Sequence, residues 1–194
     1  MPTGRLLSHA MILVLALAAT PATSASAADP PGSPPAPAST PVPKETPAAK
    51  CAYPEARQFD FWIGHWDVHS ADGSFAGTNR IEPILGGCVL QENWNGAGGM
   101  SGTSLNAFDP ATRRWHQTWM DDSGTLLLLD GVFADGKMVL SGDTPSKRMP
   151  GTTVRNRITW SPLPGGKVRQ LWEASTDGGG AWTVVFDGTY TRKP

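Results

Sequence analysis

Three short segments of the chain repeat the same pairing of a hydrogen-bonding side chain with a tryptophan two residues later. The pairs are Glu92 with Trp94, Gln117 with Trp119, and Gln170 with Trp172. In an extended strand, residues two apart point to the same face, so each pair presents a polar group beside an indole. Aromatic walls with a few polar groups are typical of sites that bind small, partly apolar molecules. The pattern therefore predicts a ligand-binding site formed by these residues, with Trp66 from an earlier strand added to its walls.

Glu92 is the residue of this set with the most distinctive chemistry. A carboxylate turned into an aromatic interior is costly unless it is paired with a cation or protonated. Strand parity offers Arg155, Arg157 and Arg169 as possible partners. A second hypothesis makes Glu92 the general acid or base of an enzyme of the isomerase, hydratase or hydrolase type. A third is an envelope scaffold with a solid barrel, in which the tryptophans only fill space.

Other catalytic and metal-binding chemistry finds little support in the sequence. His65, Asp67 and His69 share one strand face, but strand rise separates the two histidines by about 13 Å, too far for one ion to bridge. The sequence contains no Gly-x-Ser-x-Gly motif and no phosphate-binding loop. We therefore predict no metal site and no cofactor.

The chain has two cysteines, Cys51 and Cys88. In an exported protein both would reach an oxidising compartment, where a disulfide between the start of the domain and its third strand is the natural pairing. Spacing alone leaves two buried free thiols as the alternative.

Turn signals recur roughly every ten residues after the first candidate strand, at Phe59 to Val68, and the segments between them alternate apolar and polar residues. This pattern predicts an all-β domain of about ten antiparallel strands in up-and-down order. Closing the sheet into a barrel would hide its edges. A two-sheet sandwich is the alternative.

Two features near the end of the chain concern the last hairpin. The segment from Ser175 to Trp182 fits the pattern of an Asp-box, which recurs blade after blade in sialidase propellers but occurs once here. We interpret it as a hairpin in which Asp177 bonds the turn backbone. Strand parity places Trp182 on the same face as Val184, Phe186 and Tyr190, which is expected to be the interior.

The first part of the chain predicts export. Residues 1–27 have the positive start, apolar run and Ala-x-Ala site of a signal peptide, and the apolar run is too short to span a bilayer. Residues 28–50 are a Pro- and Ala-rich linker, expected to be disordered, and residues 51–194 form one domain. With 16 Lys and Arg against 17 Asp and Glu, the chain has no basic surplus to attract nucleic acid or anionic membranes. We expect a periplasmic or extracellular protein, not inserted in a membrane once the signal is removed.

Several motifs together resemble a known family. They are Phe59-Asp60-Phe61-Trp62-Ile63-Gly64-His65-Trp66-Asp67-Val68, Gly86-Gly87-Cys88-Val89-Leu90-Gln91-Glu92-Asn93-Trp94, Phe108-Asp109-Pro110 with Trp115-His116-Gln117-Thr118-Trp119, and the stretch from Asp177 to Tyr190. This set is similar to a family of secreted bacterial domains of unknown function. The resemblance implies a calycin-like barrel, related to the lipocalins, and no settled activity.

More distant resemblances to other barrels of this kind raise two further expectations. In many lipocalins an arginine near the C-terminus covers the tryptophan of the Gly-x-Trp motif, which here predicts that Arg192 covers Trp66. Nitrobindin-like barrels bind haem through a histidine on a late strand. Here the histidines after the signal are His65, His69 and His116, none of them late, so haem is a minor alternative.

Overall fold

Ten antiparallel strands make up most of residues 50–146 and 148–193, the part of the chain described by the computed structural model. The predicted signal peptide, residues 1–27, and all but the last residue of the predicted linker, 28–50, lie outside this part. The strands are β1 (Gly64–Ser70), β2 (Phe75–Ile84), β3 (Val89–Gly96), β4 (Ser101–Asp109), β5 (Arg114–Asp121), β6 (Leu126–Ala134), β7 (Lys137–Pro145), β8 (Thr153–Leu163), β9 (Lys167–Ser175) and β10 (Thr183–Arg192).

Each strand pairs with its neighbour in sequence, and β1 also pairs with β10, which closes the sheet into a barrel. In the closing pair Trp66 lies opposite Arg192 and Val68 opposite Tyr190. Closure leaves no strand of the barrel with an unpaired edge. The predicted ten-stranded up-and-down barrel is confirmed, and the sandwich alternative is wrong.

The first predicted strand begins later than the sequence pattern suggests. Two short 3₁₀ helices, Pro54–Arg57 and Asp60–Trp62, precede β1, so the predicted strand start at Phe59 is wrong. The Trp62 amide donates to the Phe59 carbonyl, and this turn directs both aromatic rings into the barrel. Two more 3₁₀ helices, Leu85–Gly87 and Pro164–Gly166, lie in hairpins. None of the helices within the described ranges is long and apolar enough to cross a membrane.

Buried aromatic rings fill one end of the barrel, and we call this group the closed-end cluster. Its members are Phe59, Trp62, Trp66, Trp115 and Trp160. The Phe59 ring stacks on Trp62 with centroids 4.8 Å apart and meets Trp160 edge-on at 5.2 Å. The Arg192 guanidinium lies 4.5 Å from the centroid of the Trp66 ring, so the predicted cover over this tryptophan is confirmed. The N-terminal segment therefore closes this end of the barrel with packed rings.

Cys51 and Cys88 form a disulfide with their Cα atoms 5.2 Å apart. The bond links the chain just before the first 3₁₀ helix to the residue that precedes β3. The predicted pairing is confirmed, and the alternative of two free thiols is wrong.

The last hairpin confirms one expectation and corrects another. Asp177 Oδ1 accepts hydrogen bonds from the Ser175 hydroxyl and from the Gly180 and Ala181 amides, as predicted for a turn device. Trp182, however, lies on the outer face, where the Arg157 guanidinium sits 3.9 Å from its ring centroid. Val184, expected on the same inner face, is exposed. A register shift in β10 between Val184 and Phe186 breaks the alternation on which the inward assignment of Trp182 and Val184 depended.

Candidate functional site

The six residues of the three polar-x-Trp pairs line a single cavity at the end of the barrel opposite the closed-end cluster. The cavity has a volume of about 240 Å³. The other residues on its walls are Met100, Leu127, Ile158, Val185, Phe186 and Tyr190. Trp66, which the sequence pattern assigns to the same site, does not line the cavity. It is fully buried in the closed-end cluster, where its Nε1 donates to the Trp62 carbonyl at 2.9 Å.

The interior of the barrel is layered because three strands that run in the same direction repeat one order of side chains. Along β3, β5 and β9 the inward residues are apolar, then polar, then indole. These triplets are Leu90, Glu92 and Trp94, then Trp115, Gln117 and Trp119, then Val168, Gln170 and Trp172. The cavity therefore has an indole-rich upper wall above a ring of polar side chains, with the apolar core beneath.

Glu92 lies at the centre of the polar layer and is only 4% exposed. Its Oε1 accepts a hydrogen bond from Asn79 Nδ2 at 2.7 Å, and its Oε2 accepts one from the Ser104 hydroxyl at 2.6 Å. Burial raises the pKa of the Glu92 carboxyl from 4.5 to about 7, while the hydrogen bonds from Ser104 and Asn79 act in the opposite direction. The site therefore contains a carboxyl group that can hold or release a proton near neutral pH.

The hydrogen bonds continue from Glu92 in both directions around the barrel. On one side Asn106 Nδ2 donates to the Ser104 hydroxyl at 2.8 Å, and Gln117 Nε2 donates to Asn106 Oδ1 at 2.7 Å. On the other side Asn79 Nδ2 also reaches the Tyr190 hydroxyl at 3.4 Å, and that hydroxyl donates to Gln170 Oε1.

We call these seven connected residues the polar belt. Its members are Asn79, Glu92, Ser104, Asn106, Gln117, Gln170 and Tyr190. Such a network holds its members in fixed orientations when each finds a partner.

The arginines that strand parity offered as partners for Glu92 lie elsewhere. Arg157 donates to Glu173, and Arg169 makes a two-bonded pair with Asp187, both on the outer face. Arg155 is exposed. The expectation of an arginine partner is wrong, because the inward positions of β8 and β9 are taken by other residues. No ion pair to Glu92 occurs among the residues that the structure describes.

Two of the three cavity indoles are held by acceptors behind them. Trp172 Nε1 donates to Asn156 Oδ1 at 3.0 Å, and Trp119 Nε1 reaches Asp121 Oδ2 at 3.4 Å. The Trp119 ring packs against Gly102, which must lack a side chain because a Cβ atom there would lie 2.4 Å from a ring carbon. Neither Asn156 nor Asp121 lines the cavity, so these contacts hold the two indoles without occupying the space a ligand would take.

Sequence reasoning missed four members of the polar belt, namely Asn79, Ser104, Asn106 and Tyr190. The spacing of Ser104 and Asn106 was a usable signal, since both have even numbers like the inward Phe108 of the same strand. Strand parity placed Tyr190 on the inner face, but its contact with Asn79 could not be found locally, because the two residues are 111 apart along the chain.

The described histidines all lie outside the cavity. His65 is near Glu82, and the His69 ring contacts Phe75. No group of three or more metal-binding side chains occurs within residues 50–146 and 148–193. The haem alternative therefore has no histidine on the cavity wall that could ligate the iron.

His116 takes part in an arrangement that sequence reasoning did not anticipate. Its Nδ1 lies 2.9 Å from Asp130 Oδ1, and its Nε2 lies 2.7 Å from the Thr118 hydroxyl. An acid, a base and a hydroxyl in this order resemble a catalytic triad. The three residues sit on the outer wall, where β5 and β6 pair, and the strand ladder engages the backbone amides that an oxyanion hole would need. We therefore place the candidate site in the cavity.

Two comparisons with known proteins identify no relative of the chain. A scan against models of protein families finds no match for the chain, and a search of curated proteins finds none either. Membership in the secreted calycin-like family stays a prediction from the motifs.

Proposed function

We propose that this domain is an exported binding protein that holds a small, partly apolar molecule in the cavity above the polar belt. The observation that carries the proposal is the convergence of Glu92, Gln117 and Gln170 with their tryptophans around one space of about 240 Å³. Indole walls would supply contact area, and the belt would fix the orientation of a polar group on the ligand.

Two further observations support this function. The cavity argues against the solid scaffold, because that hypothesis requires side chains to fill the interior at this level. The Cys51–Cys88 disulfide is compatible with an oxidising, exported setting, as the predicted signal peptide requires. A calycin-like relationship would fit the same picture.

The experiment is a screen of small aromatic fragments by ligand-observed NMR against three proteins. Leu127 lines the cavity, whereas its neighbour Leu128 is exposed on the outer wall. Leu127→Phe therefore adds volume inside, and Leu128→Phe makes the same change outside. We expect fragments that bind the unmodified protein and Leu128→Phe but not Leu127→Phe. Fragments that bind all three proteins alike, or no binding fragment at all, would contradict the proposal.

Acid–base catalysis is a second candidate, favoured by the pKa of about 7 at Glu92. A buried carboxyl poised near neutral pH is suited to proton transfer. The test is to incubate the bound fragments with protein and follow conversion by NMR. Turnover by the unmodified protein that Glu92→Gln abolishes while it still binds the fragment would support an enzyme. Equal turnover by both proteins would exclude Glu92 as the acid or base.

A further inference from the structure

Glu92 is a buried carboxylate with no positively charged partner among the residues that the structure describes. Arg157 and Arg169 pair with other carboxylates, and Arg192 stacks on Trp66 at the closed end. Removing a carboxylate from water is unfavourable unless an opposite charge compensates it. A cationic ligand in the cavity would therefore supply the positive charge that no described residue provides to Glu92.

The direction of the hydrogen bonds around Glu92 also favours a positively charged ligand. Asn79 and Ser104 both donate to the carboxylate, which stabilises its charged form. Gln117 uses its amide N–H₂ group on Asn106, and its Oε1 has no hydrogen-bond partner in the described part of the chain. The polar belt thus presents acceptors to a ligand at Glu92 and Gln117. On the other side of Glu92, the Gln170 amide N–H₂ group has no hydrogen-bond partner among the described residues.

The indole wall is suited to positive charge as well. Trp94, Trp119 and Trp172 line the cavity, and indole is the aromatic group that attracts cations best. Behind Trp119, Asp121 accepts its N–H, and hydrogen bonds from Ser123 and Thr125 help to keep that carboxylate ionised. Asp121 therefore places a negative charge at the N–H edge of the Trp119 ring.

We propose that the ligand class of the cavity is a small organic ammonium ion, with its charged nitrogen beside the Glu92 carboxylate and its apolar body against the three indoles. This assignment rests on the binding function proposed above and names its ligand chemistry. Neutral apolar molecules would use the same indole wall but would leave Glu92 uncompensated.

The size of the cavity limits the ligand. A cavity of about 150 Å³ holds one benzene molecule. By proportion, a volume of about 240 Å³ suits a ligand of about ten non-hydrogen atoms. A single aromatic ring carrying a substituted ammonium group is of this size.

Binding of such a cation depends on the charge of Glu92. The groups that face Glu92 from neighbouring elements are Asn79 of β2, Ser104 of β4 and Tyr190 of β10. Of these only Tyr190 titrates, and burial and the Glu92 charge raise its pKa well above its usual value, so it stays neutral. With the pKa of Glu92 near 7, the affinity for a permanently charged cation should fall about tenfold from pH 8 to pH 6.

The experiment compares two probes of the same shape, the phenyltrimethylammonium ion and tert-butylbenzene, by NMR titration at pH 8 and pH 6. We expect the cation to bind the unmodified protein more tightly than its neutral isostere at pH 8, and to lose about tenfold in affinity at pH 6. Glu92→Gln should lose on the order of tenfold or more for the cation and leave the isostere unchanged. The pH series tests the role of the Glu92 charge in the unmodified protein, so this part of the experiment needs no substitution.

Three results would overturn the assignment. The isostere binding as well as the cation would leave an apolar cavity without charge selection, and the proposed binding function would stand. Cation binding that neither Glu92→Gln nor pH alters would place the charge away from Glu92. Binding of neither probe would also exclude the ammonium class, and the fragment screen with Leu127→Phe would then decide whether the cavity binds any ligand.

Discussion

Replacing Glu92 with glutamine should change how the stability of the domain depends on pH. Burial raises the pKa of the Glu92 carboxyl from its ordinary value of 4.5 to about 7. Over that interval the folded protein keeps a proton on Glu92 that the unfolded chain has released. Because the folded state then binds more protons than the unfolded state, the free energy of unfolding must fall as the pH rises.

The size of the effect follows from the width of this interval. Below about pH 4.5 the carboxyl is protonated in both states, and above about pH 7 it is ionised in both, so its contribution changes only between these limits. At about 1.4 kcal/mol per pH unit, the unmodified protein loses about 3 kcal/mol across the interval. Glutamine has a similar size and does not ionise. Glu92→Gln should therefore gain about 3 kcal/mol relative to the unmodified protein between pH 4.5 and pH 8.

The assay is urea unfolding at 25 °C, followed by tryptophan fluorescence at several pH values in the absence of ligand. The quantity to plot is the difference in the free energy of unfolding between variant and unmodified protein, in which carboxyl groups elsewhere cancel. Glu82→Gln is the matched control, because Glu82 lies on the outer face and pairs with Arg80. Its difference should stay within about 0.5 kcal/mol of a constant value. A difference for Glu92→Gln that is equally flat would refute a perturbed carboxyl in the cavity.

Three further perturbations test the parts of the fold that support the cavity, each by urea unfolding. Replacing both Cys51 and Cys88 with alanine should lower the free energy of unfolding by about 3 to 4 kcal/mol, and an unchanged value would mean that the disulfide does not constrain the unfolded chain. Gly102→Ala should displace the Trp119 ring toward the cavity, costing about 1 to 3 kcal/mol and weakening fragment binding, whereas full retention of both would contradict the close approach at this glycine. Tyr190→Phe should cost about 1 to 3 kcal/mol by leaving an acceptor in the polar belt unpaired, and a neutral effect would show that the hydroxyl is dispensable there.

Strand alternation was enough to predict the cavity pairs because each polar residue and its tryptophan are two apart on one strand. Glu92 and Trp94 needed only local spacing to be placed on one face, and the turn pattern supplied the barrel that turns that face inward. The alternation of faces along a strand does not show how far along the barrel axis a residue lies. Trp66 points inward as expected but lies at the closed end of β1, below the level of the cavity.

The remaining errors have local or long-range physical causes. The register shift near Val184 reverses the face of Trp182, and a bulge of this kind leaves no clear mark in the alternation of residues. The 3₁₀ turn at Asp60–Trp62 occupies a stretch whose aromatic residues favour a strand. The polar belt depends on pairing between distant strands, and Asn79 meets Tyr190 only once β1 and β10 have closed the barrel.

The most direct test of ligand binding in the cavity uses the indole N–H signals of the eight tryptophans in a proton–nitrogen correlation spectrum. The spectrum is recorded while the tightest-binding fragment of the screen is added. We predict that the signals of Trp94, Trp119 and Trp172 move with saturation, while those of Trp115, at the closed end, and Trp182, on the outer wall, stay in place. Movement of Trp182 alone, or equal small shifts of all the indoles, would contradict a ligand site inside the barrel.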